Sequence, residues 1–189
     1  MGIANVVANQ VAGKVRQTTT RAAETRLAAP GVKQLVLDMS MFLRRLDANG
    51  DLKSVYDAGA TGDTLADYLP QADGAIVMAL ARSTGSRIVK FGSDGQLTPI
   101  VDVPGVKGSY GGQALAIAAA PDGTLHVLAN DGLSKVVGGA LVPLATDARL
   151  AVLPASTYGT VVRMAVDAAQ RVYVTSGDNV LRWTPGQAA

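Results

Sequence analysis

Two triplets of the form Ser/Thr-Tyr-Gly stand 48 residues apart, Ser109-Tyr110-Gly111 and Thr157-Tyr158-Gly159, each just ahead of an apolar segment. Tyrosine joins a large apolar body to a hydroxyl, a combination that suits recognition surfaces. Asp63 and Gln113 occupy comparable loops and add a carboxylate and an amide. Tyr110, Tyr158, Asp63 and Gln113 therefore form the candidate ligand-binding set. Packing of the two tyrosines between neighbouring structural units is the competing use of the same residues.

Other chemistries find fewer residues to work with. His126 is the sole histidine, and the alternation Leu125-His126-Val127 turns it to the face opposite its neighbours. A catalytic triad or a two-histidine metal site would need partners that no motif supplies, so a structural or surface role is expected. Asp47-Ala48-Asn49-Gly50-Asp51 begins like a calcium loop, but Leu52 and Ala58 stand where that loop wants Gly and Glu, and a hairpin turn at Gly50 accounts for it. Gly-x-Ser-x-Gly is absent. The chain has no cysteine, which removes disulfides and thiolate chemistry. No catalytic residue, metal or cofactor is expected.

The elements that would position these residues follow a repeat. Asp73-Gly74 returns at Asp122-Gly123, 49 residues on, with apolar segments on either side. A period of about 40 to 50 residues with several short strands per unit is the pattern of propeller blades. The clearest unit, 109–157, predicts strands at Ala114–Ala119, Leu125–Ala129, Leu133–Val137 and Ala140–Leu144. Turns fall at Pro121-Asp122-Gly123, Asn130-Asp131-Gly132 and Gly138-Gly139. Pro143, which cannot donate to a ladder, suits an edge strand. Unit 61–108 predicts strands at Thr64–Leu69, Ala75–Ala81, Arg87–Phe91 and Gln96–Val101. Unit 25–60 predicts Leu35–Leu37, Phe42–Leu46 and Leu52–Tyr56, and unit 158–189 predicts Val161–Val166, Val172–Thr175 and Val180–Trp183. The expected fold is all-β: a propeller or partial propeller of about four blades of four antiparallel strands. Asp67, Arg163 and Asp167 are the polar exceptions on its inner strands.

The first 24 residues read two ways. Ile3, Val7, Val11 and Val15 share one helical stripe, whereas Ile3–Ala8 would also serve as a strand closing the last blade. Lys14, Arg16, Arg21 and Arg26, with Arg44-Arg45, concentrate positive charge early in the chain, and a solvated face is the expected use. Composition bounds the rest. Hydrophobic residues make up 48% and charged ones 17%, which implies a packed, turn-rich domain. A net charge of +2 is too balanced to suggest a nucleic-acid surface. No apolar run is long enough to span a bilayer as a helix, and residues 1–30 lack the apolar core of a signal peptide. That makes the chain soluble and cytoplasmic by default, and extracytoplasmic if it is cut from a longer protein.

The phrases LAIAAAPDGTLHVLAND and VRMAVDAAQRVYVTSGDNVLRWTPG resemble NHL-type repeats and, more broadly, propellers of the gluconolactonase and virginiamycin lyase type. The resemblance covers roughly residues 25–185. It implies four-stranded blades around a channel, a fold commonly used to bind proteins, RNA or small molecules. Such propellers usually have more blades than the four visible here, so the expected alternatives are closure by the N-terminal strand, completion by a copy or partner, or a segment cut from a longer protein. The expected function is a non-catalytic binding or assembly module that recognises a protein or small ligand through its loops. The alternatives are a lactonase or lyase-type enzyme and a self-assembling subunit that completes a ring between chains. Lactonase-type propellers hold a divalent metal with inward carboxylates, whereas this chain has one glutamate, Glu24, and mostly apolar inner strands.

Overall fold

Short apolar runs separated by tight polar turns cannot bury a helical stripe, and they pair instead with their neighbours in sequence. The computed structural model describes residues 24–26, 35–37, 42–46, 52–82, 85–104, 115–129, 132–146, 162–176 and 179–186. Among the described residues fifteen strands form four antiparallel meanders. The first sheet runs β1 (Glu24–Arg26), β2 (Leu35–Leu37), β3 (Phe42–Leu46), β4 (Leu52–Asp57). The second runs β5 (Thr64–Pro70), β6 (Ile76–Arg82), β7 (Gly85–Phe91), β8 (Leu97–Val103). In the third come β9 (Ala116–Ala119), β10 (Leu125–Ala129), β11 (Gly132–Val137) and β12 (Ala140–Ala145). The last sheet has three strands, β13 (Arg163–Val166), β14 (Val172–Ser176) and β15 (Asn179–Trp183).

These elements match the sequence expectation closely, with β1 an addition that begins at Glu24. The helix-or-strand expectation for residues 1–24 otherwise lies outside the described residues, as does the turn at 47–51. The chain divides into two compact units, Met1–Thr64 with Pro70–Ala75, and Leu65–Leu69 with Ile76–Ala189.

One five-residue turn recurs four times: at 71–75, 92–96, 120–124 and 167–171. In each, the first residue's N–H donates to the fifth residue's carbonyl, and the fourth residue's N–H donates to the first residue's carbonyl. The fourth residue must take a positive φ, which glycine adopts without a Cβ clash, and Gly74, Gly95 and Gly123 do so at 82°, 81° and 86°. An aspartate at the third position accepts the fifth residue's N–H, as Asp73, Asp94 and Asp122 show at 3.0, 3.0 and 2.8 Å. The 167–171 turn breaks both rules, with Ala169 at the third position and Gln170 at the fourth with φ 60°. Asp167, moved to the first position, supplies the missing acceptor and takes the N–H groups of Ala169 and Arg171 at 2.9 and 3.0 Å.

Outer strands carry a second regular feature. The ladders skip one residue between Leu43/Arg44 and their partners on β4, between Ile88/Val89 and theirs on β8, and between Leu133/Ser134 and theirs on β12. The same two outermost strands β8 and β12 hold Pro99 opposite Val89 and Pro143 opposite Ser134. Bulges and proline both spoil an edge as a template for further pairing. Pro143 thus sits on the edge expected for it.

In the second unit the core follows a period of two. Leu115, Ile117, Val127 and Ala129 pack with Val77, Ala79, Ile88, Val101 and Val103 of the second sheet. Ala116, Ala118, Leu128 and Leu133 pack with Val162, Met164, Val172 and Val174 of the fourth. The third sheet is therefore apolar on both faces and lies between two others. Each fully buried Val, Leu or Ile contributes about 1.5–3 kcal/mol.

Candidate functional site

The inner strands place one ionic group among apolar neighbours. Asp67 on β5 is 1% exposed. Its Oδ2 accepts the N–H of Ile117 on β9 at 2.8 Å, and Oδ1 accepts the N–H of Tyr68 at 3.0 Å. The guanidinium of Arg163 on β13 lies 3.9 Å from Oδ1 and donates to the carbonyl of Val162 at 2.9 Å. First strands of three successive sheets thus meet at one carboxylate. Burial lowers the Arg163 pKa to about 10, which leaves it a cation at neutral pH. A carboxylate held by backbone N–H groups and an arginine makes a strut between strands, with little freedom to ligate a metal or move a proton.

Asp167 departs from the expected place. It lies one residue beyond β13 and faces the turn, where Oδ2 accepts from Arg171 Nε at 2.7 Å and Tyr173 OH at 3.1 Å. Desolvation is the largest single influence on its pKa and pushes it upward, but the bonds from Arg171, Tyr173 and Ala169 together outweigh it and hold the carboxylate below the usual value. Arg171 is raised in turn, first by its bond to Asp167.

A second cluster lies where the third and fourth sheets part. A cavity of about 370 Å³ is lined by Asp122, Thr124, His126, Lys135, Leu144, Gln170, Trp183 and Pro185. The apolar contact of the two sheets ends at Leu128, and His126, two residues back on the same face of β10, meets the cavity. Lys135 stands directly opposite His126 across the β10–β11 ladder, and such pairs hold their Cβ atoms about 5 Å apart. Trp183, at the end of β15, supplies an aromatic wall from the other sheet.

His126 is 2% exposed. Its Nδ1 lies 3.2 Å from the carbonyl oxygen of Thr124, which can only accept. The ring therefore carries its proton on Nδ1 and keeps a lone pair on Nε2. Burial lowers its pKa below 6.5, against smaller opposing effects from Thr124 and Asp122, so the imidazole is neutral at pH 7. The Asp122 carboxylate takes the Thr124 N–H on one oxygen and the Gln170 amide on the other at 3.1 Å, a bond that joins the turns of two sheets. These bonds, the Thr124 N–H first, lower its pKa. The cavity thus offers an anion, a cation, an imidazole lone pair and an apolar wall.

Of the residues singled out from sequence, Asp63 belongs to the first unit. It is 3% exposed, and its Oδ2 accepts from Tyr56 OH at 3.1 Å and Thr61 Oγ1 at 2.6 Å beside a short 3-10 turn, Gly59–Thr61. Tyr110, Gln113 and Tyr158 lie outside the described residues. No spacing in the sequence singles out Lys135, Gln170 and Trp183, which are scattered over two strands and a turn. The positive φ at Gln170 is the one local oddity that points toward the cavity. Among the described residues no group of three or more His, Cys, Asp or Glu side chains is placed to hold a metal ion.

No protein-family model matches the sequence, and no curated protein matches it. Solved structures do resemble the fold. A streptogramin B lyase superposes with a TM-score of 0.56 at 14% identity, over 83% of this chain and 49% of its own. A gluconolactonase from Xanthomonas campestris gives 0.53 at 18% identity, over 82% and 56%. An auxiliary nutrient binding protein from Bacteroides ovatus gives 0.56 at 14% identity, over 82% and 36%. The likeness shows a β-propeller fold, here a partial propeller. The chain spans about half the length of the lyase and the gluconolactonase and about a third of the binding protein.

Proposed function

We propose that this chain is a non-catalytic binding module and that it takes a small ligand in the cavity between the third and fourth sheets. The fold alone does not choose between binding and catalysis, because enzymes and a nutrient binding protein share it. What supports binding is the cavity itself. Its volume of about 370 Å³ sits at the small end of the range for ligand pockets, about 300–1,000 Å³. It combines one aromatic wall with a few polar groups that converge on a small volume, the usual composition of a pocket that orients a ligand.

What weighs against chemistry is how the polar groups are used. Asp67 and Arg163 are held by each other and by backbone groups, and Asp122 is held by Thr124 and Gln170. His126 is the one cavity group that could exchange a proton near neutral pH, and the cavity's carboxylate, Asp122, is held ionised by its own bonds, so no general acid–base pair is completed.

Trp183 is the only tryptophan of the chain, so its emission reports on the cavity without labelling. A screen of small metabolites by intrinsic fluorescence, followed by mass spectrometry of the bound compounds, tests the reading. Saturable emission shifts with ligand recovered unchanged are expected. Conversion of the ligand, or ligands that bind by calorimetry yet leave Trp183 emission unmoved, would overturn it.

A further inference from the structure

The cavity's charges are balanced, and that balance points to a class of ligand. This inference rests on the cavity being a binding site. Lys135 has no carboxylate partner among the described residues and stands opposite His126 across the β10–β11 ladder, where its charge disfavours a protonated imidazole. Asp122 sits at the turn that leads into β10, where its oxygens accept from the Thr124 N–H, the Thr124 hydroxyl and the Gln170 amide. A carboxylate has about four lone-pair sites, so one remains. Among the described residues no group bonds the second nitrogen of His126, and with Nδ1 protonated that nitrogen is an acceptor. Leu144, Trp183 and Pro185 make the rest of the wall apolar.

A ligand that satisfies this set must bring hydrogen-bond donors, preferably cationic, toward Asp122 and His126. It must bring an acceptor, preferably anionic, toward Lys135, and it needs an apolar portion for the wall. A simple anion leaves the two acceptors unserved and meets the repulsion of Asp122. A simple cation leaves Lys135 unserved and meets its repulsion. We infer that the cavity takes a free α-amino acid with an apolar side chain, its ammonium toward Asp122 and His126, its carboxylate toward Lys135, and its side chain against Leu144, Trp183 and Pro185.

Three probes separate the two charges: L-leucine, N-acetyl-L-leucine, which lacks the ammonium, and L-leucinamide, which lacks the carboxylate. Calorimetry on the intact chain is expected to show L-leucine binding at least about tenfold tighter than either derivative, a difference of about 1.4 kcal/mol. In Lys135→Met the preference over leucinamide is expected to vanish while that over N-acetyl-leucine persists, and Asp122→Asn is expected to show the reverse. Circular dichroism of each variant confirms that the fold is kept. Because Asp122 also closes its turn, Lys135→Met alone suffices if Asp122→Asn does not fold. Equal affinity for the three probes overturns the inference. So does failure of L-leucine and L-phenylalanine to bind while some other small molecule shifts Trp183 emission, in which case the cavity is a site of another class. If no compound of any class shifts that emission, the binding reading falls as well.

Discussion

Replacing Asp67 with Ala tests whether one carboxylate ties the inner strands together. The substitution leaves the N–H of Ile117, a residue with no exposure, without its acceptor on the side away from β10. An unsatisfied buried donor costs about 1–3 kcal/mol. It also strips Arg163 of the anion 3.9 Å away. Two charges at that separation attract by about 4 kcal/mol at the effective dielectric of a protein surface, most of it offset by desolvation. Because the Arg163 side chain is 22% exposed and keeps its bond to Val162, a net loss of about 1 kcal/mol is reasonable for this part. The sum is about 3 kcal/mol. For a chain of this size 1 kcal/mol moves Tm by about 2–4 °C, so a drop of about 6–12 °C is expected. Urea unfolding gives the free energy, and hydrogen exchange at the Ile117 amide localises it. Asp67→Asn, which keeps an acceptor for Ile117, is expected to cost about half as much. In a double-mutant cycle Arg163→Met is expected to cost less in the Asp67→Ala background than alone. A loss below about 1 kcal/mol with unchanged exchange at Ile117 would refute the strut.

Three further outcomes follow from local geometry. Because the folded-state pKa of His126 lies below 6.5, the unfolded chain binds more protons just under that value. Stability is then constant above about pH 6.5 and falls as pH drops through it toward the folded pKa, and His126→Gln is expected to flatten that limb in urea titrations at pH 5 to 7.5. Gly132 has φ 127°, and a Cβ there would run into the carbonyl oxygen of Ala145, so Gly132→Ala is expected to cost more than about 2 kcal/mol by thermal or urea unfolding. Gln170→Gly relieves a non-glycine residue at φ 60° but loses the exposed bond to Asp122. A net gain of about 0.5 kcal/mol in melting experiments is expected, since left-handed strain costs about 1–2 kcal/mol and an exposed bond gives less.

The meanders were legible in the sequence because each rests on neighbours along the chain. Leu125–Ala129 was read to the residue, since Pro121-Asp122-Gly123 fixes where its turn ends. Pro143 marked its edge for the same local reason. The last turn was harder, because Asp167 acts from the first position and Gln170 replaces the glycine. Asp167 was accordingly read as a strand residue. The cavity could not be read at all. His126 and Lys135 are joined by ladder register, and Trp183 reaches them only through the stacking of two sheets, which no spacing along the chain records. Asp63 shows the same limit: its type and loop position make it a candidate for ligand contact, whereas burial and bonds from Tyr56 and Thr61 engage its carboxylate locally.

The most direct test of the account is amide and side-chain NMR mapping of the chain titrated with a compound that shifts Trp183 emission. The account predicts saturable shifts at Thr124, His126, Lys135, Gln170 and the Trp183 indole, with the amides of Asp67 and Ile117 still. Shifts concentrated on Asp67, Ile117 and Arg163, with the His126 ring and the indole unmoved, would place recognition on the inner strands and contradict it.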